Sequence, residues 1–324
     1  MMTPTPIFSS SLAQAMTDLV TFKRIQGADY TGSAVALGYL DRFLCRQGYR
    51  EARLNQQIVD AYVAHTAHLA RNTRWSRLSC VRVFSRFLNH LDPKSYVLAE
   101  LPVSRPSLPR WYLFSDKDVV ALLRHAEALG PAGSLRPHCI RMLVGLLWMT
   151  GLRISEALAL NLGDLDTERR LLLVRKGKLR KERYVALHPT AIGPVQEYLV
   201  KRANYGPSSD CCPFFLHSSG KRLEYEHAKY AFRQLVRLCS IGQDAPKPPR
   251  LHDLRHTYAC NCVLRWYDEG VNVNSMLPVL ATALGHVDVQ ATQIYLHVSS
   301  RLLHQGAQRF HPTFTATCKR STIP

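Results

Sequence analysis

The sequence predicts a mainly α-helical protein of two domains, with a small antiparallel β-sheet in the C-terminal one. Three observations lead there. The chain has 324 residues, enough for two cores. Apolar residues recur at helical spacing over most of its length, and only a few short stretches, two of them around a basic turn, read as strands. Three prolines within 102–109 mark an extended break between two structured parts. The expected organisation is a helical domain over 12–100, a linker over 101–110, a second domain over 111–300 and a tail over 301–324.

Taken in order, residues 1–12 are rich in Pro and Ser and read as disordered. Helical patterning runs from Leu12 to His90, with breaks near 27–32, Gly48 and Asn72. Asn72 or Thr73 is the expected cap of the helix that ends near His90. On it, Arg71, Arg74, Arg82 and Arg86 share one face, and Cys80, Phe84, Phe87 and Leu88 lie opposite. Ser115 and Asp116 open a helix to about Leu129. Residues 138–149 form a strongly apolar helix that ends at Thr150-Gly151, where the glycine suits a left-handed C-terminus. Arg153 follows on the turn, and Glu156 reads as its orienting partner or a cap. Leu171–Val174 and Arg183–Leu187 are short strands around a basic turn over 176–180. A helix near 193–202, a strand-like Pro213-Phe214-Phe215-Leu216, and a helix from about Glu224 to Cys239 follow. A helix from Asp253 through Arg265 places His252 and Arg255 on one face near its start. A helix N-terminus favours an anion, so this is a candidate phosphate site.

Charge narrows the partner. Lys and Arg number 42 against 24 for Asp and Glu, an excess of 18. Such a balance favours a polyanion, and nucleic acid is the expected one. A membrane partner is not expected: no apolar run has the length of a spanning helix, and the arginines are dispersed. The first residues lack the basic start and apolar core of a signal peptide, so a cytoplasmic protein is expected. Nine cysteines without repeated spacing read as reduced, mostly apolar thiols. His252-x-x-x-His256 has the spacing of a zinc pair. Arg255 between them would repel a cation and the usual glutamate is missing, so no metal and no cofactor is expected.

Arg153, a lysine in the basic hairpin, His252-x-x-Arg255, Gly285-His286 and Tyr295 occur in that order. Together, from about Leu113 to Ser300, they resemble the catalytic set of the tyrosine recombinase (phage integrase, Xer-like) family. The resemblance implies a two-domain DNA clamp whose helical part is the core-binding (SAM-like) domain. It implies a site-specific DNA recombinase that cuts and rejoins strands through a 3′-phosphotyrosine. It also implies double-stranded DNA as partner and a homotetramer on synapsed DNA, with the tail after Tyr295 docking on a neighbouring subunit. Related recombinases are further candidate partners. Residues 271–278, longer than in compact Xer-type members, resemble transposon-encoded recombinases.

The chemistry suits these residue types. Arg153 and Arg255 supply fixed charge and parallel hydrogen bonds to two non-bridging oxygens, and His286 supplies a further donor. His252 is the expected acceptor of the Tyr295 proton. The resemblance places the acid for the departing 5′ oxygen at Lys176. Two extra turn residues, Leu179 and Arg180, keep Lys178 in contention. Arg71, Arg74, Arg82, Arg86, Arg175, Lys178 and Arg180 are the candidate DNA contacts. A type IB topoisomerase and a catalytically silent DNA-binding subunit are the alternatives.

Overall fold

The computed structural model describes residues 6–105, 111–131, 133–175, 182–207, 209–286 and 290–297. The chain divides into two compact units, Met1–Pro109 and Arg110–Pro324. Among the described residues no helix is long and apolar enough to cross a membrane.

The first unit is helical: α1 (Ala13–Ile25), α2 (Thr31–Arg46), α3 (Gln56–His65) and α4 (Arg71–Leu91). Asn55 caps α3 by accepting from the Ile58 N–H at 2.9 Å. The α4 seam of Leu78, Val81, Phe84 and Leu88 is buried, as its period requires. Its start differs from the sequence reading, because Ala70 precedes the first turn and Asn72 lies inside it. Residues 6–12 also depart from the expected disorder. Phe8 and Leu12 are part of the core, and buried Asp41 accepts the Ser9 and Ser10 N–H groups at 2.9–3.1 Å. A buried carboxylate needs such donors, so it ties the segment down. Leu101 and Val103 likewise pack on this core, which shortens the extended stretch expected from 101. Residues 106–110 lie outside the described ones.

The second unit is built on α6 (Arg136–Thr150), apolar on nearly every side and hence central. It packs against α5 (Asp116–His125), α8 (Ile192–Ala203), α9 (Tyr225–Leu238) and α10 (Leu251–Asp268). Ser115 and Asp118 form a reciprocal capping box on α5. Between α7 (Ile154–Ala159) and α8 lies an antiparallel sheet of β1 (Leu165–Asp166), β2 (Leu171–Val174) and β3 (Arg183–Ala186), in that order. Val174 pairs with Arg183 at the open end. Pro213–Leu216, expected as a strand, makes only isolated bridges. The buried Arg202 guanidinium donates to the Pro213 and Phe214 carbonyls, and the Tyr198 hydroxyl also donates to Phe214. Side chains thus take carbonyls that a ladder would use. After α10 come α11 (Val273–Leu284), α12 (Gln290–Gln293) and a 3-10 turn, Ile294–His297.

Two glycines fix the geometry of this end. Gly151 (φ 62°) terminates α6 and Gly285 (φ 65°) terminates α11, both left-handed. A Cβ on Gly151 would lie 2.4 Å from the Tyr258 ring. Gly151→Ala therefore combines backbone strain with overpacking, and a loss of about 2–4 kcal/mol is expected in urea unfolding. A loss below about 0.5 kcal/mol would show that the turn relaxes freely.

Candidate active site

The C-terminus of α11 leaves carbonyl oxygens without intrahelical donors and carries the negative end of the helix dipole. Three arginines from distant parts of the chain use them. Arg255, on the first turns of α10, donates to the Leu284 carbonyl at 2.7 Å and to Gly151 at 2.8 Å. Arg153, on the turn after α6, donates to Gly285 at 2.8 Å and to Leu284 at 3.3 Å. Arg183, at the start of β3, donates to Ala283 at 3.0 Å and to Leu284 at 3.4 Å. Glu156 on α7 is the carboxylate among them, accepting from Arg153 and Arg183 at 2.8 Å each and from the Arg153 backbone N–H at 3.0 Å. Burial opposes its charge, but the hydrogen bonds of Arg183 and Arg153 win and hold its pKa below the usual range. Arg255 is 1% exposed, and burial, reinforced by Arg153, brings its pKa down to about 10. Gly285 is required here, since a Cβ would lie 2.7 Å from an Arg183 nitrogen and 3.3 Å from one of Arg153.

Tyr295 stands beside this cluster on the 3-10 turn, buried against Ala259, Cys260 and Val263 of α10. Burial raises its pKa, and the neighbouring Arg255 guanidinium draws it back. Its hydroxyl lies 3.1 Å from Nδ1 of His256. That imidazole is buried, stacked flat on Trp111 at 4.0 Å between centroids, and pushed down to about 3 by burial and the nearby His252 and Arg255. His252 meets His256 edge-on at 4.6 Å and is open to solvent. Crowding by protein and the Arg255 charge depress its protonation as well. His286 follows Gly285, with Nδ1 2.8 Å from the Thr292 hydroxyl and its ring parallel to Tyr295 at 6.3 Å.

Of the residues singled out in the sequence, Arg153, His252, Arg255, His286 and Tyr295 therefore come together in one region. Lys176, Lys178, Arg180 and the tail over 301–324 lie outside the described residues. Arg175 is described, and its half-exposed guanidinium pairs with buried Asp164. On α4, Arg86 is exposed and Arg82 half-buried. Arg71 donates to the Ser104 hydroxyl at 2.6 Å and the Arg105 carbonyl at 3.0 Å, and Arg74 leans on the Val63 carbonyl at 3.4 Å. These two arginines thus hold their own unit together as well as facing outward. The N-terminus of α10 is also less empty than the sequence suggested, because Asp253 accepts the Arg250 N–H at 2.9 Å. Sequence reading missed Arg183, which looked like one polar strand residue, and Trp111. It weighed His256 only as half of a zinc pair. Among the described residues no three His, Cys, Asp or Glu side chains gather as a metal site.

Two measurements follow from this electrostatic layout. Glu156→Ala leaves two guanidiniums without their shared carboxylate, so stability falls by about 3–5 kcal/mol in denaturant unfolding. Acid acts earlier, through His256. Its folded pKa lies below its unfolded value, so from about pH 6.5 downward the unfolded chain binds the extra proton and stability drops. The expected loss from this residue is about 2 kcal/mol between pH 6.5 and 5. His256→Asn should remove that part of the slope in a urea-midpoint series against pH.

Known proteins share both sequence and fold with this chain. The model of the phage integrase family matches residues 113–301. The protein y4rB of Sinorhizobium fredii, which carries an integrase/recombinase designation, is 35% identical over 248 residues, 74% of this chain and 79% of that protein. The tyrosine recombinase XerC of Chlamydia trachomatis is 34% identical over 251 residues, covering 76% and 73%. In fold, the chain resembles the XerH site-specific recombinase bound to palindromic difH substrate (TM-score 0.66, 18% identity, 87% of this chain and 80% of that one). It also resembles the Tn1549 transposon integrase in complex with transposon right end DNA (TM-score 0.67, 16% identity, 93% and 99%). With the family model spanning more than half of its length and relatives above 30% identity, the chain belongs to the phage integrase family, the tyrosine recombinases.

Proposed function

We propose that this tyrosine recombinase cleaves and rejoins double-stranded DNA at a specific site through a covalent 3′-phosphotyrosine on Tyr295. The observation that carries the reading is the Tyr295 hydroxyl lying against buried Arg255, with Arg153 bonded to the same Leu284 carbonyl. A guanidinium has five N–H donors. On Arg255 two of them go to backbone carbonyls and the Tyr295 hydroxyl engages another, so a phosphate docking beside Tyr295 would take those that remain. Arg153 reaches the same space from the other side of Leu284 and is partly exposed.

In this reading a scissile phosphate docks on Arg153 and Arg255, which neutralise its non-bridging oxygens as charge develops in the transition state. The phenolic oxygen forms a bond to phosphorus and the P–O5′ bond breaks. The phenolic proton passes to His252, whose proton affinity, depressed in the free protein, rises beside a bound phosphate. Lys176 or Lys178 of the hairpin protonates the departing 5′ oxygen, and His286 donates to a phosphate oxygen. The bond energy is kept in the phosphotyrosine, so a 5′ hydroxyl from another strand reverses the step. Arg82 and Arg86 on α4 are proposed as backbone contacts of the first unit, and Arg175, Lys178 and Arg180 as contacts of the hairpin. Strand exchange requires a homotetramer on two DNA sites, acting in the cytoplasm. The strong positive balance and the fold shared with a transposon integrase support this reading, and movement of a DNA element is its proposed setting.

The decisive experiment uses a duplex recovered from a random-sequence pool by binding to the full chain, then nicked to trap the cleaved strand. The wild-type chain should form a protein–DNA adduct stable to denaturant. Tyr295→Phe should abolish it with DNA affinity changed less than about threefold, since docking in this reading rests on Arg153, Arg255 and the basic contacts. An adduct that persists in Tyr295→Phe removes Tyr295 as nucleophile.

A further inference from the structure

Trp111 and His256 pack beside Tyr295, and the reaction as described above uses neither of them. The Trp111 and His256 rings are 4.0 Å apart and within 11° of parallel, and Trp111 also touches the Tyr295 ring at 5.5 Å. His256 also meets His252 edge-on, and its Nδ1 meets the Tyr295 hydroxyl at 3.1 Å. We propose that His256 sets the direction of the Tyr295 oxygen for attack on phosphorus, and that Trp111 fixes the imidazole plane. This rests on Tyr295 being the nucleophile.

The physical case is one of restraint. A phenol oxygen lies on the axis of its own ring, so ring flips leave it in place. What remains free is the tilt of the ring and the O–H torsion. One hydrogen bond from a fixed partner restrains the oxygen when Nδ1 of His256 carries the proton and donates to it. The phenolic O–H is then left free to turn toward His252. An imidazole alone can turn about its side-chain bonds, and a flat stack on an indole prevents that turning. His256 is 7% exposed, so no water competes easily for the bond. The step balances with His256 neutral throughout. The oxygen–phosphorus bond forms, P–O5′ breaks, the phenolic proton goes to His252, and the hairpin lysine protonates the leaving oxygen. Misplacing a reacting atom by about 1 Å costs on the order of 100-fold in rate, which sets the scale expected here.

The test is single-turnover adduct formation on the nicked duplex, with DNA affinity measured alongside. His256→Leu should slow adduct formation about 100-fold while affinity stays within about threefold. His256→Asn, whose amide reaches the place of Nδ1, should restore the rate to within about fivefold of wild type, a rescue that a proton-storing base would not show. Trp111→Ala should slow the reaction about 10-fold with His256 present and no further on top of His256→Leu, because the two act as one unit. Wild-type cleavage together with an unimpaired His256→Leu overturns this proposal alone. So does an Asn variant as slow as the Leu variant. A wild-type chain that forms no adduct overturns the nucleophile and this proposal together.

Discussion

The end of α11 is the constraint on which the catalytic unit depends. Helix C-termini expose carbonyls that must find donors, and here guanidiniums supply them. Arg153, Arg183 and Arg255 arrive from a turn, a strand and another helix, and each bonds to the stretch from Ala283 to Gly285. The backbone thereby positions the arginines to within the tolerance of a hydrogen bond, more firmly than flexible acidic side chains would. Gly285 belongs to the same device: its left-handed turn ends the helix, and its missing Cβ leaves room for two guanidinium groups. Gly151 does the same from the α6 side, offering its carbonyl to Arg255.

Much of this was legible in the sequence, and the reasons differ by element. Helices α4, α6 and α10 announce themselves through apolar period and end signals, because burial of a helical face follows directly from spacing. The hairpin strands were readable from the turn between them. β1 was not, since two residues carry no period. Pro213–Leu216 misled because an apolar run does not reveal that Arg202 and Tyr198 will take its carbonyls. Residues 6–12 misled because their anchor, Asp41, is about thirty positions away and looks like an ordinary surface acid.

The site shows the same division. Arg153, His252, Arg255, His286 and Tyr295 were singled out through an ordered set of motifs, and the fold gathers them in one region. Arg183 and His256 escaped because their roles come from tertiary packing. Strand alternation sets Arg183 on the same face as buried Val185, where an arginine at the strand's start says nothing of a partner, yet the sheet edge delivers it to α11. Helical spacing puts His256 one residue beyond Arg255, but nothing local says that Trp111, some 145 positions earlier, will lie across its ring.

An arginine cluster pinned by carbonyl dipoles, with Glu156 as its carboxylate, has a thermodynamic corollary. Dipoles orient a guanidinium but do not cancel it, so three cations share one anion; burial, and after it the Arg153 charge, depresses Arg255. The free protein is an unfinished salt, held in shape by its backbone. Under the function proposed above, the DNA phosphate would act as the missing counterion. In the proposed reaction, substrate affinity and local rigidity would draw on the same electrostatic energy.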